Sequence, residues 1–426
     1  MSQNAPSELT PRTWLVIFGA FTSLFCTVGF LNSFGVFEEY YAEVPLANQS
    51  ESTIGWIGAI CLFCLFSIST IAGSLLDTFG PELLIRTGSV GTVLGVMMIS
   101  LCTKLYQFIL AQGFLLGISM SLVTWPAVGL IGQYIKRKSA GPMGIAIAGS
   151  SFGGVIWPIA IKQLLYKPNI GFGWTMRIVG FIMIPLLLFS CIVCNSPPKA
   201  PVVIEDATKI EDGSVVNPTD PIPEKVVDRK AQAMALYKKP SMRLLCLAVF
   251  FIYFGMFAPF FYTTSYAVKK GFSTSFAFYT VSIVNGASFF GRIIPGIVAD
   301  KLGRFNCLII ATLLAGVIAL CWTKVDSVTG LAIWSAAYGF ALGGILSLQQ
   351  ASAAQVATPS TIGLAIGSVA GCCALSAMAN VPISGALVEK YGYLALSIFT
   401  GVSLLVGAIL LLLARFAQTR TLLAVI

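Results

Sequence analysis

Long apolar runs recur along the whole chain, each closed off by a short polar stretch. They fall at about 14–37, 54–76, 84–103, 107–134, 140–165 and 174–196, and again at about 243–267, 274–298, 305–323, 328–350, 360–385 and 392–414. A helix crosses the hydrocarbon core of a bilayer with roughly 20 apolar residues, so each run is long enough to span. A porin-like barrel fits poorly, because its strands alternate polar and apolar residues and lack such runs. The pattern predicts an all-α polytopic membrane protein of twelve transmembrane helices, six on either side of a polar gap. That gap, residues 197–240, carries "PPKAPVV" and "NPTDPIPEKVVDRK". It cannot bury enough apolar area to order itself and reads as a flexible cytoplasmic linker. The expected layout is a tail over 1–13, a six-helix half over 14–196, the linker, a second half over 241–416, and a tail over 417–426.

Composition sharpens this. Of 426 residues, 57% are apolar and 10% charged, with a mean hydropathy of +0.87; soluble domains carry roughly 25% charged residues. A soluble enzyme, a disordered protein and a disulfide scaffold are excluded. The net charge of +9 would raise nucleic acid as a partner in a soluble protein. Here it reflects basic residues gathered in cytoplasmic loops, so the expected partners are the lipid bilayer and a small-molecule solute, with no nucleic acid. The sequence names no accessory membrane partner. There is no histidine, which removes the usual proton shuttle and the commonest zinc ligand; no metal and no cofactor are expected. The eleven cysteines lie almost entirely inside apolar runs and read as helix packing. Residues 1–13 precede a run long enough to span, so no cleavable signal peptide is expected.

Twelve spans put both termini and the linker on one side. That side holds 17 Lys and Arg against eight on the other, eight of the 17 between Lys199 and Arg243, and is expected to face the cytoplasm. The sequon Asn48-Gln49-Ser50 then lies outside, where Asn48 is a candidate glycosylation site. The plasma membrane is the expected location, an organelle membrane the alternative.

An internal repeat fixes the architecture. "GSLLDTFGPELLIRTG" follows the second span and "GIVADKLGRFNCLII" the eighth; Gly73, Asp77 and Gly80 superpose on Gly296, Asp300 and Gly303 at a constant offset of 223. The two halves therefore arose by duplication, as in parallel-repeat transporters. The glycines allow close approach and a sharp turn. The carboxylates can accept from a neighbouring helix N-terminus and pair with a basic residue, latching one side. The second copy keeps Arg304; the first has Pro81 there, so its latch is weaker or uses Arg86.

This loop resembles the signature of the major facilitator superfamily between spans two and three. A finer resemblance covers nearly the whole chain. Tyr134, Lys136, Arg137, Ala140, Gly141, Ala146, Ala148 and Gly149 stand in register with the signature of the monocarboxylate transporter family, Ile135 replacing an aromatic. The start, "WLVIFGAFTSLFCTVGFLNSFGVFEEYY", is similar to fungal members. The small residues Gly149, Gly153 and Gly154 allow helix five to pack closely and slide, whether as plain packing or as part of a gate.

Arg292 stands out on physical grounds. It lies in the eighth span, eight residues before Asp300 and so about 12 Å from it along a helix. A guanidinium at that depth is costly and faces a water-filled pathway or a partner, and its fork fits a carboxylate. In the family that the chain resembles, an arginine at this point binds the substrate carboxylate. Alternatively, Arg292 snorkels or forms a fixed structural pair. Proton-coupled animal members carry a lysine where Asn32 stands, and an aspartate where Ser288 stands, four residues before the arginine. No Asp or Glu lies deep in any span, which argues against the animal-type proton mechanism. Asn32, Asn285 and Asn380 remain to orient a solute, with Tyr253, Tyr262 and Gln112 as lesser candidates; each can instead serve as an interhelical hydrogen bond.

The sequence thus points to a secondary transporter of a small organic anion, monocarboxylate-like or an acidic natural product, working by alternating access. Substrate contacts are expected from Arg292, Asn285, Asn32, Asn380 and Tyr262, and gating from Asp77, Gly80, Asp300, Gly303 and Arg304. The alternative is a uniporter or efflux carrier of a neutral or amphipathic metabolite, such as a secondary metabolite, with Arg292 structural. No catalytic constellation is present, so no enzyme is expected, and the absence of a P-loop argues against ATP-driven pumping.

Overall fold

The structure is a computed structural model and describes residues 9–167, 169–197 and 229–419. Among these, the spans are α1 Pro11–Glu43, α2 Ser52–Phe79, α3 Pro81–Ile99, α4 Leu105–Tyr134, α5 Ala140–Leu165, α6 Gly171–Val193, α7 Pro240–Lys269, α8 Thr274–Leu302 and α10 Val328–Val356. Between α8 and α10 lies α9, Arg304–Leu320, apolar but only 17 residues long. The last run, Ile362–Phe416, is 55 residues long and is broken at Gly392, whose φ of 80° and ψ of −179° are not helical. It divides there into α11 (362–391) and α12 (393–416). By length and composition ten helices can span; dividing the last at Gly392 and adding the short α9 accounts for the twelve crossings.

Local chemistry places the ends. Thr10 caps α1, accepting from Thr13 N at 3.2 Å, with Pro11 in the first turn, so the helix starts before the apolar run does. Part of the gap is also ordered. Residues 198–228 lie outside the described residues, but Arg229–Lys238, RKAQAMALYK, is helical. It is composed mostly of strong helix formers. Leu236 is buried, and the Tyr237 hydroxyl meets Ser368 Oγ at 2.6 Å, docking this helix on the second half. At the ends, 1–8 and 420–426 lie outside the described residues.

Several spans are interrupted, α2 at Ile68 and α4 by a π-helical stretch at Ile109–Leu116 among them, but α1 and α7 are corresponding spans interrupted at matching depths. α1 passes through a π-helical turn at Phe25–Gly29 and breaks at Asn32–Ser33, and α7 breaks at Phe257. The offset of 223 places Phe257 on Phe34, next to the first break. Paired breaks in corresponding helices of two halves mark the level of a solute site in transporters. In α7 the carbonyls near the break find side-chain partners: Tyr338 Oη donates to Met256 O at 2.7 Å, and Asn380 Nδ2 donates to Phe254 O.

The halves meet mainly where α5 packs on α8 and α2 on α11. The outward surface carries large apolar side chains such as Leu94, Phe181, Ile192 and Ile333, as lipid contact requires.

Candidate functional site

The two latches are reciprocal. Asp77, near the end of α2, accepts from Gly363 N at 2.9 Å and Leu364 N at 2.8 Å, capping α11 of the other half. Asp300, near the end of α8, accepts from Ala140 N at 3.1 Å and Gly141 N at 2.9 Å, capping α5. The capped residues differ by the same 223 as the aspartates. Each half thus seats a carboxylate on the positive end of a helix in its twin. Gly80 and Gly303 supply the turns at φ of 79° and 95°, where a side chain would be strained. A Cβ at Gly296 would stand 2.7 Å from Ala140 O, and one at Gly73 would collide with Gly363 O. Both seams are closed on the side that bears the termini and the linker.

Arg304 is buried and interacts electrostatically with Asp300; its hydrogen bonds go to Arg137 O at 2.8 Å and Ala351 O at 3.3 Å, tying the α4–α5 loop to α10. In the first copy, Gln133 Nε2 reaches Asp77 at 3.5 Å. Arg86 lies near Glu82, whose carboxylate accepts from Ser196 N at 2.6 Å and Ser196 Oγ at 3.1 Å. Replacing Asp77 or Asp300 by Asn keeps the shape but turns one of the two accepting oxygens into an N–H donor, so one bond to the facing helix is lost and the other loses its charge; charged hydrogen bonds contribute about 1.5–3 kcal/mol. Transport is expected to slow severalfold with surface expression intact. Normal turnover in both variants would show that the latches do not govern the cycle.

Mid-depth, Arg292 is only 4% exposed. Its Nη1 donates to Ile147 O at 2.7 Å and to Ser150 Oγ, both on α5 of the other half. Its Nε has no partner among the described residues. The titratable group with which it interacts is Tyr253 of α7, and no acid among the described residues pairs with it. A Cβ at Gly144 of α5 would collide with Arg292 O, and one at Gly343 of α10 would stand 3.0 Å from Arg292 N. The backbone of Arg292 is therefore gripped from two sides.

Asn32 and Asn285 converge on the same stretch of α5. Asn32 Nδ2 donates to Ser150 O at 3.3 Å, and Asn285 Nδ2 to Gly154 O at 3.4 Å and Val281 O at 3.3 Å. A Cβ at Gly154 would lie 2.8 Å from Asn285 Oδ1 and 2.9 Å from Asn32 Nδ2. Arg292, Asn285 and Asn32 thus form one group across the seam.

The other candidates lie elsewhere. Asn380 is fully buried on the α7 break. Tyr262 is half-buried nearer the far side, its hydroxyl 3.0 Å from where a Cβ would stand at Gly385. Gln112 accepts from the Tyr41 hydroxyl at 2.8 Å within the first half. Asn48 is exposed in the α1–α2 loop. Gly149 and Gly153 face Phe21 and Gly29 of α1, so they pack the first half internally. Sequence reasoning missed Ser150 and Gln349; nothing in their neighbourhoods separates them from ordinary helix positions. Ser288 entered only as a missing aspartate, yet its hydroxyl is buried without a partner among the described residues.

Two six-helix halves, reciprocally latched on one side around a mid-depth cation, make a solute carrier of the membrane. Residues 13–325 and 296–423 match the family model "Major Facilitator Superfamily", and the chain belongs to that family. It is 43% identical to "MFS-type transporter AFUA_1G00970" of Aspergillus fumigatus over 99% of this chain and 96% of that one. It is 41% identical to "Agnestins efflux protein AgnL12" of Paecilomyces divaricatus, over 97% and 90%. Among solved structures, it superposes on the human organic anion transporter MFSD10 with a TM-score of 0.70 at 16% identity, covering 95% of this chain and 100% of that one. On the E. coli fucose:proton symporter the TM-score is also 0.70, at 15% identity, covering 94% and 98%. The protein is a multi-pass membrane transporter of small solutes, not an enzyme.

Proposed function

We propose that the protein is an efflux carrier for a small organic anion, an acidic secondary metabolite, in the plasma membrane, and that Arg292 holds the acidic group. The observation that carries this is the buried guanidinium, whose bonds among the described residues go to neutral oxygens, Ile147 O and Ser150 Oγ. A mid-membrane cation without a counter-ion is costly, and an anionic solute supplies the missing charge. The twin half supports it. Ser69 stands at the position equivalent to Arg292 and bonds Gly367 O at 2.7 Å, so this helix crossing needs no charge to pack. The resemblance to the monocarboxylate transporter signature points to the same solute class, and relatives named as efflux proteins point outward. In this reading Asn32 and Asn285 orient the solute and Tyr262 lines the far-side route. The linker side is cytoplasmic, and the latched state is the one closed to the cytoplasm.

One observation favours a second reading. The two bonds from Arg292 to α5 also suit a structural clasp, and the solute is then neutral or amphipathic. Untargeted metabolite profiling of cells and medium, with and without the protein, separates the two. Retention of an acid in cells lacking the protein is expected; retention of neutral compounds alone would overturn the anion reading.

A further inference from the structure

A cavity of about 400 Å³ lies on the linker side, and both halves line it. The first half contributes Lys136, Arg137 and Ser139 of the α4–α5 loop. The second contributes Asp300 and Arg304, on either side of the α8–α9 turn, and Thr358 of the α10–α11 loop. Among the described residues that line it, three side chains are cationic and one is anionic. That one is already engaged: the Asp300 oxygens accept from Ala140 N and Gly141 N, and its charge interacts with Arg304. The lining therefore carries more positive than negative charge.

Two further features bear on what fits there. α9 begins at the cavity with Gly303 as its N-cap, and no side chain caps it, so the positive end of a 17-residue helix adds to the cations. Lys136 and Arg137 are exposed, which leaves the cationic wall accessible from the linker side. The volume lies within the range of about 300–1,000 Å³ usual for small-molecule sites, and exceeds what a bare ion needs.

We propose that this cavity is a regulatory site for a phosphate monoester, distinct from the solute site at Arg292 and independent of which solute is carried. Such a group bears about −1.5 to −2 charges at neutral pH. Arginine forks, a lysine ammonium and an open helix N-terminus are the donors that recognise it. Because its walls come from both halves, the cavity exists only while the linker side is closed. A ligand held there binds the latched state alone, shifts the population toward it and slows the cycle. The same phosphate chemistry is offered by a soluble metabolite and by a lipid headgroup at the membrane surface.

The test uses the purified full-length protein, with thermal unfolding as the readout. Glycerol 3-phosphate is the soluble probe, and phosphatidylcholine vesicles with and without phosphatidate supply the lipid one. A rise of the midpoint that saturates with probe is expected. The double variant Lys136→Gln, Arg137→Gln should weaken binding about tenfold or more, as the loss of charged hydrogen bonds implies. Lys138→Gln with Lys301→Gln removes the same charge from exposed residues outside the lining, and should bind as the parent does. Gly144→Val also lies outside the lining but disfavours the latched state, so the probe should bind it about tenfold more weakly. Asp77→Asn, which loosens the other latch, replaces it if that variant fails to fold. A rise with phosphatidate alone identifies a lipid headgroup, and one with glycerol 3-phosphate alone a soluble metabolite; either supports the site. No rise with either probe overturns the proposal. So does equal weakening in the two double variants, or unchanged binding when the latched state is disfavoured.

Discussion

Arg292→Ala is expected to abolish transport while leaving the protein as stable as before, or more so. Two opposing effects decide this. Truncation removes the donors to Ile147 O and Ser150 Oγ, and losing bonds to a charged group costs about 1.5–3 kcal/mol each at most. It also removes a buried cation without a counter-ion, whose desolvation penalty is several kcal/mol. The second effect is at least as large, and Ser69 in the twin half shows the crossing forms without a guanidinium. Arg292→Lys keeps the charge but loses the fork; transport should fall about tenfold or more, as the loss of one charged hydrogen bond implies. Thermal unfolding beside uptake into vesicles checks both halves of the claim. A variant that melts many degrees lower and still transports would make Arg292 a structural clasp.

What the sequence made legible follows from which physics leaves a local trace. Twelve crossings were readable because a bilayer demands a long apolar run for each. The duplication was readable because Gly80 and Gly303 both need a backbone that other residues resist. From the offset alone the reciprocity of the latches was within reach, since Ala140 and Gly363 differ by the same 223. Arg292 announced itself as a charge in an apolar run. Gln349 did not, because a glutamine near the end of an apolar run looks like any surface residue until the Tyr253 hydroxyl is seen 2.8 Å from it. Asn380 looked like Asn32, and only the break at Phe257 reveals its Phe254 carbonyl. That break was hidden because the residues around it stay apolar on both sides. The helix at Arg229–Lys238 was masked by its polar neighbours, although its own residues favour helix.

Gly144→Val should stop transport by a different route. A Cβ there collides with Arg292 O and lies 3.1 Å from Arg292 C, across the seam that closes the linker side. Overpacking of this kind costs about 1–3 kcal/mol when side chains can yield, and here the obstacle is backbone. The penalty falls on the latched state, since the collision exists only while α5 lies on α8. The population should shift from that state by about tenfold to a hundredfold on the same cost. Ser139, buried beside Asp300 and lining a cavity of about 400 Å³ on the linker side, reports this. A cysteine placed there should react faster with a membrane-impermeant maleimide in Gly144→Val than in the parent. Gly149→Ala is the control, because its Cβ meets Phe21 of the same half. It should lower the yield of folded protein and leave the labelling rate of the survivors unchanged. Equal behaviour of the two variants would mean that the α5–α8 seam does not open during transport.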